Sequence, residues 1–139
     1  MGLRSVLLEK FPNLQMSSVV ENGGNREAMI ERVAEKLRDP DLVGIYNAGG
    51  RNSLIADAIR LARRDSKGDL VFVGSELTEV SRRLLIDGRL DAVISFPARR
   101  AAKALAHALR AVTSRAATAA LPPYQPLQIY FAENAVLGE

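Results

Sequence analysis

Apolar positions in this chain gather into short runs that stop abruptly at small and polar residues. Leu42-Val43-Gly44-Ile45-Tyr46 ends in Asn47-Ala48-Gly49-Gly50-Arg51-Asn52. Leu70-Val71-Phe72-Val73 ends in Gly74-Ser75-Glu76-Leu77-Thr78, and Ala92-Val93-Ile94 ends in Ser95-Phe96-Pro97. Each run has the length and β-branched or apolar content of a buried strand, and a helical period follows it. That alternation is the rhythm of a parallel α/β sheet. Ligands of such sheets sit beyond the carboxyl ends of the strands, where these polar residues cluster.

The same spacing predicts the remaining elements. A helix over 5–11 is stopped by Pro12, which cannot continue the hydrogen-bond ladder. A strand is expected over 15–20, then a turn at Asn22-Gly23-Gly24-Asn25. The next helix carries Met29, Ile30, Val33, Ala34 and Leu37 on one face and closes before Pro40. Strands over 42–46, 70–73, 91–94 and 127–131 alternate with helices over 52–64, 78–86 and 99–113. Ser66-Lys67-Gly68 reads as a turn, Gly88 suits the position just past a helix end, and residues 115–126 read as a linker. The expected fold is α/β: a Rossmann-like parallel sheet of about five strands flanked by helices. Right-handed crossovers would make the strands parallel.

Composition adds bounds. A chain of 139 residues that is 47% hydrophobic suits a single domain; a chain of this size buries roughly two-thirds of its unfolded surface. Net charge is +3, and the pairs Arg63-Arg64, Arg82-Arg83 and Arg99-Arg100 are isolated within helical patterns. They read as solvated faces, not as a phosphate-binding stripe. The absence of cysteine excludes disulfides and thiolate metal sites. No segment approaches the ~20 apolar residues of a membrane span. The first residues lack the continuous apolar core of a signal peptide, so a chain starting natively at Met1 is expected to be cytoplasmic.

The strand ends hold the candidate chemistry. The turn after Tyr46 has neither the Gly-x-Gly-x-x-Gly of a dinucleotide site nor the Gly-Lys-Ser/Thr of a P-loop. Its two glycines suit a tight turn. The Asn47 amide can donate and accept at once, as a sugar hydroxyl requires. Arg51 offers a fork of donors to hydroxyls or a carboxylate, and equally suits solvent. Glu76 fits a carboxylate near a helix N-terminus with Ser75 as the cap, or an acceptor for two adjacent ligand hydroxyls. Ser95 and Phe96 end the next strand, and Phe96 suits either a sugar face or the core. Asn22 and Asn25 are explained by turn chemistry. His107, the only histidine, falls mid-helix among alanines, which is no place for a Ser-His-Asp triad. The ligand-binding candidates are therefore Asn47, Arg51, Glu76, Ser95 and Phe96. No catalytic residue, metal ligand or cofactor is called for.

Four strings carry a resemblance to a known family: 42–52 (LVGIYNAGGRN), 72–78 (FVGSELT), 82–94 (RRLLIDGRLDAVI) and 129–134 (IYFAEN). Together they resemble the effector-binding domain of LacI/GalR-type transcriptional regulators, itself similar to type I periplasmic sugar-binding proteins. The resemblance covers nearly the whole chain. It implies two α/β lobes joined by three crossovers with ligand in the cleft between them, of which residues 1–139 match the C-terminal lobe alone. The family's helix-turn-helix and most of its N-terminal lobe have no counterpart here. A family ligand-binding arginine falls before Gly2. Asn47 matches the polar residue after the lobe's second strand. Glu76 matches the acidic residue, often aspartate, that clasps ligand hydroxyls. Ser95-Phe96-Pro97 departs from the pattern: the family carries a longer Asp/Gln-containing segment before its proline.

The resemblance implies a sensor of a small molecule, a sugar or sugar-like effector. DNA would be contacted only through a separate N-terminal domain, and family members dimerise through their effector domains. A periplasmic sugar-binding component of an ABC transporter is the alternative. A small α/β enzyme is disfavoured, because the strand ends assemble no nucleophile–base pair.

Overall fold

Among the described residues, three parallel strands and one antiparallel strand form the sheet. The structure, a computed structural model, describes residues 3–21, 23, 25–64, 68–96, 98–114 and 126–135. Its strands are β1 (Gly44–Asn47), β2 (Val71–Ser75), β3 (Ala92–Ser95) and β4 (Gln128–Tyr130), in the order β1-β2-β3-β4. The helices are α1 (Leu3–Lys10), α2 (Arg26–Lys36), α3 (Asn52–Leu61), α4 (Glu79–Ile86), α5 (Ala98–Ser114) and α6 (Ala132–Ala135).

The register places Ile45 beside Phe72, and Gly74 beside Asn47 and Val93. These residues share the face on which the core is built. Phe72 and Val93 are fully buried there with Leu37, Leu85 and Leu90. Helices α2, α3, α4 and α6 form a row, each packed on the next. The opposite face leaves Tyr46, Val71 and Ile129 exposed.

Local chemistry fixes the helix ends. Asn25 accepts the Ala28 N–H at 2.9 Å and starts α2, and Thr78 accepts the Ser81 N–H at 3.1 Å and starts α4. Gly88 ends α4 in the left-handed region at φ 68°, with Arg89 N–H donating to Leu84 O at 2.8 Å and Gly88 N–H to Leu85 O at 3.1 Å. This is the Schellman ending expected of a glycine just past the last turn. Helix α3 closes the same way with Arg63 at φ 55°. That ending turns Arg64 inward, where its guanidinium donates to the carbonyls of Leu37, Asp39, Leu42 and Asp69 at 2.9–3.2 Å. Arg64 is thus a tie between the end of α2 and the entries to β1 and β2, not the solvated charge that its sequence neighbourhood suggests.

Two expectations about the sheet need correction. Residues 15–20 form no strand: Leu14, Met16 and Val19 are exposed, and only Val20 reaches the core. Among the described residues β1 pairs with β2 alone, and an extended segment without a neighbour has no ladder to stabilise it. The last strand is antiparallel to β3, pairing Ser95 with Gln128 and Val93 with Tyr130. The chain re-enters the sheet at the end where β3 leaves it, so α5 does not complete a crossover. Residues 22, 24, 65–67, 97 and 115–125, within the stretches read as turns, a strand end and a linker, lie outside the described residues, as do the side chains of Arg99 and Arg100.

Candidate functional site

Parallel strands deliver three chain segments to one end of the sheet: 47–52 after β1, 75–78 after β2 and 95–96 after β3. At the first, Asn47 folds the turn back on itself. Its Nδ2 donates to Gly50 O at 2.5 Å and to Asn52 Oδ1 at 2.7 Å, while its Oδ1 accepts the Gly49 N–H at 3.2 Å. Gly50 and Arg51 then adopt left-handed backbone, at φ 68° and 53°. Arg51 stands at the N-cap position of α3, makes no side-chain cap and is exposed. The consecutive left-handed pair reverses the chain direct from strand into helix. Glycine takes this conformation freely; for Arg51 it costs about 1–2 kcal/mol.

The second segment also has an unusual backbone. Glu76 is left-handed at φ 65°. Its N–H donates to Ile94 O at 3.2 Å, and its carbonyl accepts the Thr78 N–H at 3.0 Å. The carboxylate lies over Gly50: a Cβ built there would stand 3.1 Å from Glu76 Oε2. The α4 cap is Thr78, not Ser75. Ser75 Oγ instead accepts the Gly50 N–H at 3.2 Å, which ties the two segments together. At the third segment Ser95 Oγ accepts the Leu77 N–H at 3.2 Å and donates to Phe96 O at 3.3 Å. Phe96 is 59% exposed, so it is not a core residue.

All five sequence-derived candidates therefore stand at one end of the sheet, in two kinds of setting. Asn47 and Ser95 are half-buried and hold backbone. Arg51, Glu76 and Phe96 are exposed, presenting a cation, an acceptor pair and an aromatic face.

Sequence reasoning missed the residue beneath them. Asn52 is only 3% exposed. Its Nδ2 donates to Ser75 O at 2.9 Å and to Ser81 Oγ at 3.0 Å, and Ser81 Oγ lies 3.0 Å from Thr78 Oγ1. Gly74 makes room for it: a Cβ there would fall 2.6 Å from Asn52 Oδ1. The available signal was an asparagine at the first position of a helix whose neighbouring strand carries a glycine.

No protein-family model matches the sequence, and no curated protein matches it. Solved structures share the fold, among them the following two. An arabinose-binding protein, AraP from Geobacillus stearothermophilus, superposes with a TM-score of 0.69 at 18% identity, over 94% of this chain and 48% of that one. A protein from Bacteroides fragilis, assigned provisionally as a LacI transcriptional regulator, superposes with a TM-score of 0.71 at 16% identity, over 94% of this chain and 44% of that one. This chain thus spans just under half the length of either structure. The chain has a periplasmic-binding-protein-like α/β fold.

Proposed function

We propose that this chain is the C-terminal lobe of an effector-binding domain in a LacI-type transcriptional regulator, and that it binds a sugar or sugar-like molecule at the strand ends. The observation that carries the reading is Glu76, held in left-handed backbone with its carboxylate over Gly50. Strain of this kind concentrates at ligand sites, where the surrounding structure enforces it. A carboxylate in that position accepts hydrogen bonds from two adjacent hydroxyls. Arg51 donates to ring or hydroxyl oxygens, and Phe96 covers an apolar sugar face. Asn47 Oδ1 and Ser95 Oγ each keep a lone pair beyond their loop contacts, enough to accept one ligand hydroxyl apiece.

In this reading a second lobe closes on the ligand. Ligand favours one lobe arrangement and changes the parent's DNA affinity by its differential binding to the two. DNA contact belongs to a separate domain of the parent, which works as a cytoplasmic homodimer. The likeness to an arabinose-binding protein supports a second reading, a sugar-binding component of a transporter. The N-terminal peptides of the gene product in its source cells separate the two: a helix-turn-helix favours the regulator, an export signal the transporter. Among the described residues no helix is long and apolar enough to cross a membrane.

The binding claim is tested by calorimetric titration of the chain with L-arabinose and a panel of aldohexoses, alongside Glu76→Gln. Saturable heat that weakens in the variant supports it. Heat that is unchanged in Glu76→Gln removes Glu76 from the site.

A further inference from the structure

We infer that Asn52 is a positioning residue that couples the segment carrying Arg51 to the segment carrying Glu76, so that the two act as one rigid wall of the ligand site; this rests on the carbohydrate-site reading above. One buried amide serves both sides. On the β1 side its Oδ1 receives Asn47 Nδ2 at 2.7 Å, and the same Nδ2 holds Gly50 O. On the β2 side its Nδ2 fixes Ser75 O, the carbonyl immediately before Glu76, and Ser81 Oγ in the first turn of α4.

The chemistry requires asparagine. Each connection uses a different polarity: acceptance toward Asn47, donation toward Ser75 and Ser81. Aspartate can still accept from Asn47 and from the Ser81 hydroxyl, but it cannot donate to Ser75 O. Alanine can do neither and leaves the Asn47 amide and Ser75 O short of partners. The β-carbon absent at Gly74 leaves room for the amide, whose atoms lie 2.6–2.8 Å from where that carbon would stand. A second direct tie between the segments is Gly50 N–H to Ser75 Oγ, at 3.2 Å. Coupling matters because Arg51 and Glu76 sit in costly backbone conformations, which persist only where their surroundings over-determine them.

Amide hydrogen exchange on the 139-residue chain, without ligand, tests the coupling in wild type, Asn52→Ala and Asn52→Asp. Gly49 reports the first segment and Glu76 and Leu77 the second, with the buried amides of β3 as the internal reference. The expectation for Asn52→Asp is exchange faster by roughly tenfold at Glu76 and Leu77, with Gly49 and β3 near wild type. For Asn52→Ala both segments accelerate. The inference is overturned if Asn52→Ala leaves both segments at wild-type rates, or if Asn52→Asp speeds every amide equally, β3 included. A titration of the same proteins with L-arabinose addresses the ligand separately. If wild type binds, Asn52→Asp weakens binding; undiminished affinity overturns the positioning role. If wild type binds no sugar, as a lobe holding half the cleft allows, the exchange result alone decides the coupling.

Discussion

Glu76 and Gly50 meet across two strand ends, with the carboxylate of one lying tightly against the place where the side chain of the other would begin. A Cβ on Gly50 would come within 3.1 Å of Glu76 Oε2, and Gly50 has φ 68°. Gly50→Ala therefore combines left-handed strain with displacement of the carboxylate. Denaturant unfolding should show a loss of about 1–2 kcal/mol, and sugar affinity should fall with it.

Glu76 supplies the converse case. Its φ of 65° suits glycine better than any side chain. Glu76→Gly should be more stable than Glu76→Ala by about 1 kcal/mol, since both lose the carboxylate and only alanine keeps the strain. Neither should bind sugar as wild type does. Equal midpoints for the two variants in urea would show that the left-handed conformation is not retained in solution.

The Arg63-Arg64 pair divides into one strained residue and one structural one. Arg63 holds φ 55° at the end of α3, so Arg63→Gly should leave stability unchanged or raise it by up to about 1 kcal/mol. Arg64→Ala removes the donor to four carbonyls and should cost about 1–3 kcal/mol. Arg64→Lys should recover only part of that loss, because an ammonium cannot reproduce the planar fork. Thermal unfolding of the three variants checks the order.

Phe96 separates stability from binding. With the residue 59% exposed, truncation removes little packing. Phe96→Ala should unfold within about 0.5 kcal/mol of wild type while losing sugar affinity. A large stability loss with affinity preserved would return Phe96 to the core.

Much of the fold was legible because local signals and packing agree. The apolar runs at 42–46, 70–73 and 91–94 become β1, β2 and β3 with shifts of one or two residues at their ends, and the stripe Met29, Val33, Leu37 is the buried face of α2 and its C-cap. What failed needed non-local knowledge. Residues 15–20 read as a strand, but strand formation depends on a neighbour that periodicity does not reveal. The antiparallel run of β4 depends on the end of the sheet at which the chain re-enters it. Asn47, Arg51, Glu76, Ser95 and Phe96 stood out by position at the strand ends. Asn52 and Ser81 did not, because their hydrogen bonds span the first turns of two different helices. The left-handed backbone of Arg51 and Glu76 carries no residue signature, since both are side chains that ordinarily avoid it.

The most direct test of sugar binding at the strand ends is a two-dimensional amide NMR titration of the chain with L-arabinose. Saturable shifts at Gly49, Gly50, Arg51, Glu76, Leu77 and Phe96, with the residues around Leu70 and Leu90 at the other end of the strands unmoved, are the predicted result. Saturable shifts centred on that other end, with these strand-end amides unmoved, would contradict the account.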